Sequence, residues 1–222
     1  MDPSSDALLA LWHDNAAPWT EAVRGGTIAS RRLATDRAVL EAVAATRPRR
    51  VLDVGCGEGW LTRALNARSI ETFGVDAVAP LIEQARQAGG GRFAQVSFAE
   101  LATSSLAADF DTWVCNFSLF HPDDGRALVA AAAQRLPAGG ALVIQTLHAH
   151  ATTAGPDSGD AWQPGGWGSC GSSFGAPIPW YFRSRASWVA LLQAQGFGTL
   201  DWREPAHPDS GQPLSMLLTA RR

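Results

Sequence analysis

Val51-Leu-Asp-Val-Gly-Cys-Gly-Glu-Gly-Trp60 decides how the chain is read. Val51 to Val54 have the character of a short buried parallel strand, and Pro48-Arg49-Arg50 bounds them on one side. Glycines follow at alternate positions, Gly55, Gly57 and Gly59, and a helix-like run opens behind them at Trp60-Leu61-Thr62-Arg63-Ala64-Leu65. Glycine lets the backbone turn with positive φ and lets a ligand come close to the main chain. A helix N-terminus beyond the turn presents N–H groups that lack intrahelical partners. Strand, turn and helix outline a site for a nucleotide-like cofactor.

Two cofactor classes compete for it. A dinucleotide fingerprint, G-x-G-x-x-G, would need glycine where the chain has Trp60, and an indole there obstructs a pyrophosphate. The observed G-x-G-x-G, preceded by Asp53, instead resembles the first motif of the class I S-adenosylmethionine-dependent methyltransferases. That resemblance implies a loop of Gly55, Cys56, Gly57, Gly59 and Trp60 around the methionine end of S-adenosylmethionine (product S-adenosylhomocysteine), with Asp53 helping to hold its ammonium group.

Further along, each segment arrives in the order the resemblance expects. Glu71 to Asp76 reads as a second strand ending in a carboxylate, 21 residues beyond Gly55. At that distance an acidic side chain can accept hydrogen bonds from both ribose hydroxyls, with Ala77 beside it. A helix follows from Ala79 to Ala88, ended by Gly89-Gly90-Gly91. Arg92 to Ser97 reads as a third strand. Ser97 stands where many family members have aspartate, so the resemblance leaves adenine to Phe98 and Ala99; Phe98 as ordinary core is the alternative. Asp109 to His121 resembles the family's fourth-strand motif, its strand at about 111–115 delivering Asn116, Phe117 and Ser118 to the cofactor edge. Asp124 to Arg135 reads as a helix, stopped by Pro137 and Gly139-Gly140, and Ala141 to Leu147 as a fifth strand.

The flanks are less regular. Residues 1–46 read as an N-terminal helical cap, with Ser30 capping a helix from Arg31 to about Thr46. By resemblance Arg31, or else Arg32 or Arg24, pairs with the cofactor carboxylate. Residues 148–183 form a lid or substrate insertion; within it, 151–180 hold seven glycines, four prolines and three tryptophans. Such aromatic content argues against disorder. A helix from Ser184 to Gln195 and two strands, 197–203 and 213–220, close the chain. The expectation is one α/β domain over 1–222, Rossmann-like, with cofactor-binding core 49–147 and C-terminal unit 184–222. Its seven-stranded sheet is mostly parallel with an antiparallel last strand, and helices cover both faces.

Composition narrows the function. Net charge is −3, giving no sign of nucleic-acid binding. No lysine occurs, which removes Schiff-base and lysine-base chemistry. Three cysteines without metal-ligand spacing fit a reducing cytoplasm and no metal site. No run reads as a signal peptide or a membrane span. The resemblance implies an enzyme that methylates a small-molecule acceptor at oxygen or nitrogen, similar to the ubiquinone-biosynthesis methyltransferases. Deprotonating the acceptor calls for a base, with His121, His148 and Tyr181 as candidates and His150 beside them. Arg183 and Tyr181 are placed to orient an anionic or hydroxylated substrate. The alternatives are a non-catalytic S-adenosylmethionine-binding protein on the same fold, an NAD(P)-dependent dehydrogenase, and, for the aromatic insertion, a homodimer interface.

Overall fold

A computed structural model describes residues 2–107, 109–155, 159–168, 170–171 and 173–222. Residues 156–158, 169 and 172 of the expected insertion lie outside the described residues. Seven strands form one sheet: β1 (Arg50–Val54), β2 (Glu71–Asp76), β3 (Arg92–Gln95), β4 (Thr112–Asn116), β5 (Ala141–Leu147), β8 (Thr199–Arg203) and β9 (Ser215–Arg221). Two short strands, β6 (Ala161–Gln163) and β7 (Trp180–Phe182), pair separately. The sheet order is β3-β2-β1-β4-β5-β9-β8, with only β9 running against its neighbours. The expected mostly parallel sheet with an antiparallel last strand is what forms.

Alternation along the strands explains why both faces are covered. Leu52, Trp113, Cys115, Leu142 and Ile144 belong to one apolar core; Val51, Val114 and Val143, one residue out of step, belong to another. Side chains of a strand point alternately to opposite faces, so both faces demand helices. On the first face lie α6 (Pro122–Arg135) and α7 (Arg185–Ala194), through Leu128, Val129, Trp188 and Leu192. On the second lie α3 (Asp36–Ala45) and α4 (Trp60–Asn66), through Val39, Val43, Leu61 and Leu65. Each such side chain contributes about 1.5–3 kcal/mol by leaving water. Leu142→Ala, at a site with no exposure, would therefore cost on the order of 2–5 kcal/mol.

β1 is flanked by β2 on one side and β4 on the other, so the chain reverses its winding there. Ligands of open α/β sheets sit beyond the carboxyl ends of the strands at such a reversal. Over that edge lie α1 (Ser5–Asp14), α2 (Ala16–Arg24) and α5 (Ala79–Ala88). Trp12, Ala16, Trp19, Val78 and Leu81 pack these pieces together.

Two expectations need correction, and one segment gains detail. Ser30 is not a helix cap: its backbone is already helical and its side chain caps nothing, because the helix passes through a π turn at Arg31–Thr35 before α3. The third strand stops at Gln95, since Ser97 opens a short turn instead, its N–H and Oγ both bonded to Glu100. The insertion holds regular structure, with Trp162 opposite Tyr181 in β6–β7. That ribbon brings residues 163 and 180 together.

Candidate functional site

A cavity of about 540 Å³ opens at the winding reversal. Its floor is the quoted glycine turn. Gly55 and Gly57 have φ of +72° and +55°. Gly55 and Cys56 both donate their N–H to Val75 O, at 2.8 and 3.0 Å, which ties the turn to the end of β2. Gly57 donates its N–H to Asp76 Oδ2 at 2.9 Å, and Val78 N–H binds the other oxygen at 2.8 Å. Each oxygen keeps acceptor capacity toward the cavity that Asp76 lines. Burial raises the pKa of Asp76, opposed by those N–H groups.

Asp53 lines the cavity one strand over, 1% exposed, accepting from Thr62 Oγ1 at 2.8 Å. Burial pushes its pKa up to about 7, against the Thr62 hydrogen bonds. A cation beside it would restore the carboxylate. Phe98, Ala99, Ala77, Asn116, Phe117 and Ser118 line the cavity. Ser118 Oγ, however, donates to Val54 O at 3.0 Å and contacts Cys115 Sγ, joining the ends of β1 and β4. Asn116 Oδ1 is buried with no hydrogen-bond partner among the described residues.

The glycines divide by role. A Cβ on Gly57 would meet nothing nearer than Trp19 Nε1 at 3.7 Å. On Gly59 it would lie 2.7 Å from the Phe93 ring and 3.0 Å from Ala85, and Gly59 does not line the cavity. Gly59 is therefore a packing glycine, a correction to its expected place around the cofactor. Trp60 and Arg31 both reach the cavity, with the Arg31 guanidinium 4.4 Å over the Trp60 ring. Arg31 Nε is held by Asp36 Oδ1 at 3.0 Å. Glu58, its side chain without exposure, binds Arg24 at 2.8 Å and Arg63 at 2.6 Å, pinning α2 to the turn.

None of the three candidate bases lines this cavity. His121 caps α6, its Nδ1 accepting from Asp123 N–H at 3.1 Å, and its ring packs on Trp162. His148 Nδ1 accepts from His150 N–H at 3.2 Å, and its Nε2 lies 3.5 Å from Glu204. Tyr181 packs on Trp162 and under Arg183, while its neighbour Trp180 takes the cavity side of β7. Arg183 bonds Pro122 O and Ser187 Oγ, at 3.1 and 3.0 Å, and is not in the cavity either. Among the titratable groups that sequence reasoning missed is Asp124. It lines the cavity from the first turn of α6, with Oδ2 accepting from His121 N–H at 3.3 Å. The pattern His121-Pro-Asp-Asp124 was the available signal, since an acid at the third helical position completes a capping box.

Trp12, Trp19, Phe120, Trp167, Ile178 and Trp180 roof the cavity. Trp12 is the hub, with ring centroids 5.3 Å from Trp19, 5.0 Å from Phe120 and 6.0 Å from Trp167. Asn15 fastens the insertion to the helices: Gly175 N–H binds its Oδ1 at 2.8 Å, and its Nδ2 reaches Ala176 O at 3.4 Å.

An acidic residue on a glycine turn, above a winding reversal, defines a nucleotide-cofactor α/β protein. The family model described as a methyltransferase domain matches residues 27–201, and the chain belongs to that family. It is 38% identical over 103 residues to the ubiquinone biosynthesis O-methyltransferase of Xylella fastidiosa (strain M23), covering 45% of this chain and 42% of that protein. The corresponding protein of Idiomarina loihiensis is 35% identical over 104 residues, covering 45% and 43%. The matches thus span under half the length of these curated relatives. Among solved structures, 1,6-didemethyltoxoflavin-N1-methyltransferase of Burkholderia thailandensis, with bound 1,6-didemethyltoxoflavin and S-adenosylhomocysteine, superimposes with a TM-score of 0.70. It is 20% identical and covers 100% of this chain and 92% of its own. An S-adenosylmethionine-dependent methyltransferase from Mesorhizobium loti gives 0.61 at 21% identity, covering 82% and 96%. S-adenosylmethionine is the cofactor that the family implies. The site fits it: Asp76 keeps acceptor capacity, Asp53 favours a cation, Asn116 Oδ1 lacks a partner, and Gly57 leaves room at the turn.

Proposed function

We propose that this protein transfers a methyl group from S-adenosylmethionine to a small-molecule acceptor. The carrying observation is Asp76, buried at the cavity edge and fixed by Gly57 and Val78, where it suits the two hydroxyls of a ribose. Asp53 takes the ammonium group, Gly55 and Gly57 carry the amino-acid end, and Phe98 packs on adenine. Arg31 serves the carboxylate, sharing its guanidinium with Asp36.

When bound, the cofactor supplies a sulfonium-activated methyl group. The residues of the chain do the rest by alignment and exclusion of water. The insertion, through Trp167, Ile178 and Trp180, covers the acceptor half of the cavity. Relatives named as ubiquinone biosynthesis O-methyltransferases and the N1-methyltransferase of similar fold are compatible with oxygen or nitrogen as the methylated atom. We place the protein in the cytoplasm, acting without nucleic acid; no described helix is long and apolar enough to cross a membrane.

The test is turnover. Protein incubated with methyl-labelled S-adenosylmethionine and a panel of small phenols and aromatic amines should release S-adenosylhomocysteine with at least one acceptor. Tight cofactor binding with no release across the panel would favour a non-catalytic binding protein.

A further inference from the structure

The acceptor half of the cavity is unusual in its charges. Among the described residues, Arg31 is the one arginine lining the cavity, and it is taken up by Asp36 and, on the reading above, by the cofactor carboxylate. Glu58 is neutralised by Arg24 and Arg63, and Asp123 by Arg126. Asp53 and Asp76 belong to the cofactor end. That leaves Asp124, and the exposed Asp6 on α1, facing the space under the tryptophans. Asp124 Oδ1 has no hydrogen-bond partner among the described residues.

Resting on the methyl-transfer reading above, we infer that the acceptor is a planar aromatic molecule that carries a proton donor and no negative charge, held between the Trp12–Phe120–Trp167 wall and Asp124. The ring faces of this wall carry negative electrostatic potential, which favours flat π systems and cations and disfavours anions. An anionic acceptor would meet Asp124 in a half-buried space with no unpaired cation nearby. Like charges at such distances repel more strongly than in bulk water. An amine, ring N–H or phenol, by contrast, can donate to Oδ1, which is otherwise unpaired. Burial raises the pKa of Asp124 to about 6, so at pH 8 it is ionised and able to accept a hydrogen bond.

Three indoles of equal ring and graded charge test this: tryptamine (cation), tryptophol (neutral) and indole-3-acetate (anion). Each is titrated calorimetrically at pH 8 into full-length protein saturated with S-adenosylhomocysteine. Cofactor binding is measured first. Its failure sinks the methyl-transfer reading, whereas normal cofactor binding followed by the wrong charge order sinks only this inference. The expected order is tryptamine, tryptophol, indole-3-acetate, with about tenfold or more between the extremes, the ratio one charge–charge contact of modest strength produces. Asp124→Asn keeps an oxygen for the His121 cap, so its cofactor affinity and melting temperature should stay near wild type while the tenfold ratio falls to about two. Equal or tighter binding of indole-3-acetate overturns the inference. So does failure of all three to bind, or a charge preference that survives Asp124→Asn.

Discussion

Ser118 lies directly over Gly55: a Cβ built on Gly55 would come within 2.3 Å of both Cβ and Oγ of Ser118. Contacts that short force something to move, and Ser118 is tied to Val54 O, so the turn itself must shift. The three glycines of the turn therefore predict three different phenotypes. Gly55→Ala should lose both stability and S-adenosylhomocysteine affinity, the latter by tenfold or more. Gly57→Ala has room but pays about 1–2 kcal/mol for positive φ and narrows the cavity, so affinity should fall more than stability. Gly59→Ala should lower stability with less effect on affinity, because it strikes Phe93. Melting curves and calorimetry on the three variants separate these outcomes; equal affinity losses at Gly57 and Gly59 would refute the division.

Cofactor affinity should depend on pH through Asp53. Its folded-state pKa, raised to about 7, means that the ligand-free carboxyl is mostly protonated at pH 6 and mostly ionised at pH 8. The ionised form is the one that holds an ammonium group, so affinity should rise about tenfold across that interval. In the ligand-free protein the sign is opposite for stability. Asp53 contributes most below its unfolded value of about 3.9, and that contribution is lost as pH rises toward 7. Asp53→Asn should flatten the affinity profile; an unchanged slope would remove Asp53 from this role.

Glu58 joins α2 to the cofactor turn through Arg24 and Arg63. Glu58→Gln leaves two arginines facing a neutral amide at a fully covered position. Breaking a buried pair costs on the order of 3–5 kcal/mol, discounted here to about 2 kcal/mol because Arg24 is 40% exposed. Denaturant titration reads this loss. A change below about 0.5 kcal/mol, the scale of an ordinary surface substitution, would show that the network contributes nothing to the fold.

Asn15, wholly buried, fastens the insertion by two hydrogen bonds. Asn15→Ala strands Gly175 N–H, while Ala176 O keeps only its bond from Trp167 Nε1 at 3.2 Å. Hydrogen exchange should quicken over 173–178, and the acceptor KM should rise, while S-adenosylhomocysteine affinity changes by less than about twofold. Exchange that stays at the wild-type rate would mean that the insertion is anchored elsewhere.

The floor of the cavity is legible in the sequence because it is built from short local motifs at strand ends. Asp53, Gly55, Gly57, Asp76 and Asn116 each follow directly from a strand whose direction the sequence pattern specifies. The acceptor half depends on which way side chains turn, which no local pattern reveals. On β7, Trp180 faces the cavity and Tyr181, one residue on, faces away. The register of that strand is set by pairing with β6, in a segment without sequence periodicity. The place of His121 after β4 makes it a candidate base, yet its Nδ1 accepts from the first turn of α6, and the acid three residues later is the one that lines the cavity. His121→Asn, which retains a good cap, and Tyr181→Phe should accordingly keep turnover within about threefold of wild type, as expected for groups outside the reacting site. A loss of a hundredfold or more in either would return it to the mechanism.

The central claim is tested most directly by calorimetric titration of S-adenosylhomocysteine and of NAD into wild-type protein and Asp76→Ala. Stoichiometric S-adenosylhomocysteine binding is predicted, weakened by ~1–3 kcal/mol in the variant through loss of charge-assisted hydrogen bonds, with no heat from NAD. Tight NAD binding without S-adenosylhomocysteine binding, or S-adenosylhomocysteine affinity indifferent to Asp76, would contradict the account.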